Sequence, residues 1–158
     1  MKKAMFTLLL MLVCMAGIAK ELDYYVIVTG EKLYCTKIRL GAVNTTAVLE
    51  TGEKVTLRTA DIHSYRLNGK IFDKMPLYEN NKSTSKNVFM QFVTTRAGLK
   101  LYKYSVSEEG VDKLSGIYLK STSVDHYVVF KGDQFYVSIT DKNYPTMFEF
   151  FGVRYREL

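Results

Sequence analysis

Apolar and polar residues alternate in short runs along most of this chain. Tyr, Val, Ile, Thr and Phe recur in stretches of five to eight, broken by Gly, Asn and Asp. That is the pattern of a domain built from short strands and frequent turns. Strands are predicted over Tyr24–Thr29 and Lys32–Leu40, separated at Gly30-Glu31. In the second, Tyr34, Thr36 and Ile38 alternate with Leu33, Cys35 and Lys37, so each set takes one face. Gly41 to Asn44 turns the chain, and Thr45–Glu50 with Lys54–Thr59 predicts a hairpin about Thr51-Gly52-Glu53. Ile62–Leu67 and Lys70–Phe72 flank Asn68-Gly69. Asn-Gly is a strong hairpin signal, because both central residues of a type I′ turn need positive φ.

The composition then changes. Glu79 to Asn87 contains no apolar residue, which predicts a loop or linker. Strands follow at Val88–Thr95 and Leu99–Val106, joined around Ala97-Gly98. Ser107 to Ser115 is polar and acidic, a second loop. Ile117–Ser121, His126–Lys131 and Gln134–Ile139 complete the strands, the last two meeting at Gly132-Asp133. Only the end reads as helical. Asp141 or Asn143 can cap, Pro145 suits a first turn and Gly152 can terminate, which leaves Thr146–Phe151 as a short helix. Such a helix must dock on a sheet to persist.

The expected fold is therefore mainly β, in two small antiparallel units with one short C-terminal helix, the alternative being one continuous barrel-like sheet. Residues 20–78 form the first unit, an SH3-like barrel. Residues 79–87 form the polar linker. Residues 88–158 form the second unit, a curled sheet that carries the helix.

The start of the chain sets the expected location. Lys2 and Lys3 precede an uncharged run from Ala4 to Ala16, and Gly17-Ile18-Ala19 places small residues where a signal peptidase cuts. A retained anchor needs roughly 20 apolar residues, more than this run supplies. Residues 1–19 are expected to be a cleaved signal peptide, with Lys20 opening the mature chain. Val13 and Leu12 before Cys14 are too bulky for a lipidation site. The expected product is exported, and periplasmic, outer-membrane-associated or extracellular, with no transmembrane segment after processing.

Charge and cysteine content narrow the reading a little. Cleavage removes two lysines and no acid, so the net charge falls from +6 to +4. Up to Glu79 the mature chain has nine basic and eight acidic residues, and after it eleven and eight. The local exception is Glu79 to Glu108, where Lys82, Lys86, Arg96, Lys100 and Lys103 meet no acid between those ends. Export argues against nucleic acid as a partner. Cys35 alone survives cleavage, so core packing and not a disulfide must hold the fold. It is expected to be a buried free thiol.

Several segments resemble a broad group of uncharacterised secreted proteins of Bacteroidetes. They are Gly30-Glu31-Lys32-Leu33-Tyr34-Cys35-Thr36-Lys37-Ile38, Asp61-Ile62-His63-Ser64-Tyr65 leading to Gly69, Val88-Phe89-Met90, Gly98 with Leu101-Tyr102, and the aromatic stretch Met147–Phe151. The group usually has Gly where Cys35 stands. The resemblance implies an envelope protein of a Gram-negative bacterium. It brings no activity and no site residues.

No catalytic motif emerges. Cys35, His63 and His126 are the only soft or imidazole ligands of the mature chain, and they lie far apart, so no metal and no cofactor is expected. There is no Gly-x-Ser-x-Gly and no phosphate-binding glycine loop. Carboxylates fall mostly in turns, where solvated charges belong. The 12 tyrosines and nine phenylalanines are too many for one small core. Tyr102 and Tyr104 share one side of their strand with Lys100, while Lys103 takes the other. These four residues form the candidate binding surface, an aromatic platform beside cations. The competing expectation is that the terminal helix covers this face through Phe148 and Phe151. The function expected is non-catalytic binding or assembly, with an envelope protein or a surface polysaccharide as partner. The alternatives are a small hydrolase on a β scaffold and a purely structural envelope protein.

Overall fold

The computed structural model describes residues 21–79, 81–108 and 122–153. The expected signal peptide at 1–19, the strand Ile117–Ser121, most of the loop Ser107–Ser115 and the basic residues Arg154 and Arg156 lie outside the described residues.

The alternation seen in the sequence becomes one antiparallel sheet of ten strands. They are β1 (Asp23–Ile27), β2 (Lys32–Arg39), β3 (Asn44–Leu49), β4 (Lys54–Arg58), β5 (Ile62–Leu67), β6 (Lys70–Glu79), β7 (Lys82–Arg96), β8 (Leu99–Glu108), β9 (Thr122–Lys131) and β10 (Gln134–Ile139). The spatial order is β10-β9-β8-β7-β6-β5-β1-β2-β3-β4. The chain first meanders from β1 to β4. A single 3₁₀ turn at Thr59–Asp61 then returns it to pair β5 with β1, and a second meander runs to β10. The helix α1 (Tyr144–Phe151) follows, with Pro145 in its first turn and Gly152 ending it at φ 68°. The Asn-Gly turn forms as predicted, with φ of 52° at Asn68 and 78° at Gly69.

The sheet is not closed into a barrel. An SH3-like barrel over the first unit and a division into two units are not confirmed, and the reason lies between β6 and β7. The predicted linker is instead largely strand: Lys82 to Asn87 open β7 and pair with an extended β6 through Tyr78↔Ser83 and Glu79↔Lys82. Backbone ladder bonds order this polar stretch, and the Thr84 hydroxyl donates to the Leu77 carbonyl at 3.0 Å. A strand needs apolar side chains only on a face that is buried. Most of Lys82–Asn87 is exposed, so its polar sequence is no obstacle.

The register assigns each residue to one of two faces. The first face carries Tyr25, Cys35, Tyr65, Phe72, Leu101 and Val129, and the second carries Tyr24, Tyr34, Met90, Tyr102 and Val128. Strands β1–β5 roll toward the first face. Tyr25, Cys35, Ile38, Ala47, Ile62 and Tyr65 form a core there, joined by Phe72 and Phe89. The Lys74 ammonium reaches across to donate to the Ala60 carbonyl at 2.5 Å. Strands β6–β10 roll the opposite way. Met75, Met90, Tyr102, Val128 and Phe130 make a core on the second face. Tyr78 of β6 stacks on Phe135 of β10 at 4.1 Å between ring centroids, although four steps of the sheet separate their strands. The first face of β8–β10 is then left bare, and α1 covers it: Phe148 and Phe151 pack on Leu101 and Val129.

Candidate functional site

The four residues singled out from the sequence do not converge. Tyr102 is 1% exposed and lies inside the rolled sheet, edge-on to Phe92 and Phe130. Its hydroxyl donates to Asp73 Oδ2 at 2.7 Å, and burial together with that carboxylate raises its pKa strongly. It presents no surface to a ligand. Lys100 shares the second face but sits four residues from Tyr104 along β8, about 13 Å at the rise of a strand. Lys103 lies on the opposite face, where its ammonium pairs with Asp125 Oδ2 at 3.0 Å. Ser105 Oγ also donates to Asp125, at 2.5 Å. These contacts, with the Ser105 bond the largest cause, lower the Asp125 pKa. The helix does not cover the tyrosine face, as the competing expectation had it. Odd-numbered Leu99 and Leu101 are the β8 residues under α1.

Tyr104 does reach a cavity. Where the roll of β6–β10 opens, a groove of about 530 Å³ is lined by Tyr78, Glu79, Asn81, Tyr104, His126 and Ser138, among others. Each arrives by register. Tyr104 and His126 are cross-strand partners in β8 and β9, so their rings stack, 5.2 Å apart and 18° from parallel. Tyr78 and Glu79 end β6 just before the hairpin, and Ser138 lies opposite Val128 in β10. Burial and the nearby Glu79 carboxylate raise the Tyr104 pKa. No protein-family model, curated protein or solved structure matches this chain. The groove must therefore be read from its own chemistry.

That chemistry is an aromatic wall with polar groups at its rim. The volume falls in the range of small-ligand sites, roughly 300–1,000 Å³. Glu79 is the one carboxylate among the described lining residues. Glycoside hydrolysis in its usual form needs a pair flanking the scissile bond. Among the described residues no group of three or more His, Cys, Asp or Glu side chains could hold a metal ion. Sequence reasoning reached Tyr104 but missed Tyr78, Glu79 and the pairing with His126. Both histidines do lie on strands and are exposed. The missing signal was the length of β6: a strand stopped at Phe72 leaves Tyr78 outside any predicted strand and Glu79 in the linker, away from any site.

Proposed function

We propose that this chain is an exported, non-catalytic binding module of the cell envelope, and that the groove at Tyr104 and His126 holds a segment of a surface polysaccharide. The stacked ring pair carries the reading. It supplies aromatic surface to one face of a sugar, while Glu79, Asn81 and Ser138 line the same groove with side chains able to hydrogen-bond. The lysine-led apolar run at residues 2–16 supports export, and the resemblance to secreted Bacteroidetes proteins supports the envelope location. In this reading the two oppositely rolled halves of the sheet act as two working units, and the groove belongs to the second.

The test is a glycan array probed with the full chain and with Tyr104→Ala and Glu79→Gln variants. Capture of a defined oligosaccharide that falls at least about tenfold in both variants supports the groove, a loss of the size expected when a well-packed aromatic anchor is removed. Capture indifferent to both substitutions removes the groove from consideration. Turnover of a chromogenic glycoside that disappears in Glu79→Gln would establish the hydrolase alternative instead.

A further inference from the structure

Among the described residues, the second face of β1–β5 is covered by neither core nor helix, and its charge is one-sided. The register places Lys32, Lys37, Arg39, Lys54, Arg58 and Arg66 on it, and no carboxylate occupies an outward position of β1–β5; Asp73 of β6 borders the face beside Ser64, where it accepts the Tyr102 hydroxyl. Acids of this region sit in connections, at the rim or on the other face: Glu31, Glu50 and Glu53 in the hairpin connections, Asp61 paired with Arg58, Glu21 paired with Arg66, and Asp23 on the first face of β1, where it accepts from the Asn68 N–H. Lys37, Arg39 and Lys54 are exposed and form no ion pair among the described residues. Lys37 and Lys54 flank Val48 in one cross-strand row, about 10 Å apart at the spacing of strands.

Hydroxyls and two valines, Val26 and Val48, fill the space between the cations. Thr46 and Thr56 form the next row, Ser64 lies beside Val26, and Tyr24 and Tyr34 are cross-strand partners. Tyr34 is 45% exposed. Lys32 is held over both tyrosine rings, its ammonium 3.8 Å from the Tyr24 centroid and 5.0 Å from that of Tyr34. This fixes a cation without neutralising it.

We infer that this face binds an acidic polysaccharide, a chain of sugar rings bearing carboxylates. The complementarity is specific to both groups of such a polymer: ammonium and guanidinium groups take the carboxylates, and the tyrosine and threonine hydroxyls take the sugar hydroxyls. A lipid surface fits less well. The apolar side chains most exposed nearby, Val28 and Val43, lie in turns at opposite ends of β2 and not among the cations. A single-stranded nucleic acid would stack its bases on ring faces, and Lys32 already occupies those of Tyr24 and Tyr34. The inference stands apart from the groove, which lies on other strands.

Retention of the full chain on immobilised polygalacturonate tests it, with the methyl-esterified polymer as the uncharged equivalent. Binding is expected to the first and not the second, and to weaken as sodium chloride rises above about 0.15 M, where the screening length is about 8 Å. The triple variant Lys37→Glu, Arg39→Glu, Lys54→Glu is expected to bind about ten- to a hundredfold more weakly, because three exposed attractions turn repulsive together. A control triple with the same change in net charge, Lys70→Glu, Lys131→Glu, Lys142→Glu, should stay within about twofold. Unchanged melting temperatures certify that both triples are folded, and Tyr104→Ala should bind normally. Equal weakening by the two triples would reduce the effect to net charge and overturn the proposal. So would loss on Tyr104→Ala with the face triple unaffected. Retention on phosphatidylglycerol vesicles or oligo-dT in preference to polygalacturonate would also overturn it, by identifying a different partner.

Discussion

The two halves of the sheet solve the same problem differently. Strands β1–β5 bury one face and leave the other to water. Strands β8–β10 bury both, one by rolling the sheet over Tyr102 and Phe130, the other by docking α1 over Leu101 and Val129. The difference follows from the outward residues. In β2 and β4 they are Lys, Arg, Thr and Tyr, which are content in solvent. In β8 and β9 both parities are apolar, so a single roll cannot hide them and a second layer is required. The comparison separates roles as well: the half with two buried faces forms a groove, and the half with one keeps a free surface.

The largest effect should come from tyrosines of the two second faces. Tyr102→Ala is expected to cost about 3–5 kcal/mol, as for a buried aromatic, whereas Tyr34→Ala should stay within about 0.5 kcal/mol. Urea denaturation of both variants decides this, and equal costs would erase the distinction between the halves. Next comes alkaline stability of the first-face core. Burial pushes the Tyr65 hydroxyl up from 10.0 to about 12. The folded state therefore keeps this proton after the unfolded state has lost it. Its contribution is intact below pH 10 and is lost as pH rises toward 12, by about 2–3 kcal/mol. Tyr65→Phe should remove that share of the loss, seen as a shallower fall in melting temperature above pH 10.

A smaller effect concerns Cys35, fully buried in the same core, its thiol pKa raised by burial and by Asp23. Native labelling should be slow and accelerate in denaturant, and Cys35→Ser should cost about 1–3 kcal/mol for an extra polar group in that space. Rapid native labelling would show the first-face core to be open. The smallest effect is acidic and belongs to the other half. The Asp125 pKa is lowered by the Ser105 hydrogen bond and by Lys103, so its stabilisation is present above the unfolded carboxylate range and is lost as pH falls through the folded value. Because the pair is partly exposed, Ser105→Ala should reduce this acid-side loss by less than about 1 kcal/mol, measured as melting temperature between pH 2 and pH 6.

Most strands were legible because alternation fixes parity. Ile62–Leu67 and Gln134–Ile139 match their predicted bounds, and the helix differs only at its start. Parity alone did not distinguish Tyr102 from Tyr104. Both point to the second face, yet one lies under Phe130 and the other at the mouth of the roll, a difference set by how far along the curl each sits. Lys82–Asn87 was misread because apolar content reports burial and not backbone pairing. The basic face was hidden by even bookkeeping. Acids and bases nearly balance up to Glu79, and only the cross-strand register shows that the bases of β2 and β4 gather on one face while the acids stand in connections, on the opposite face of β1 or on β6.

Among the described residues the open sheet also has two unpaired margins, β4 and β10, each able to template a strand from another molecule. Both are blunted. In β10 a bulge between Phe135 and Val137 breaks the ladder. In β4 only five residues are available, with Lys54 and Arg58 at their ends. Two copies meeting antiparallel along β4 would bring Lys54 of each toward Arg58 of the other. The charges that make the face basic thus also oppose edge-to-edge pairing of two copies along β4.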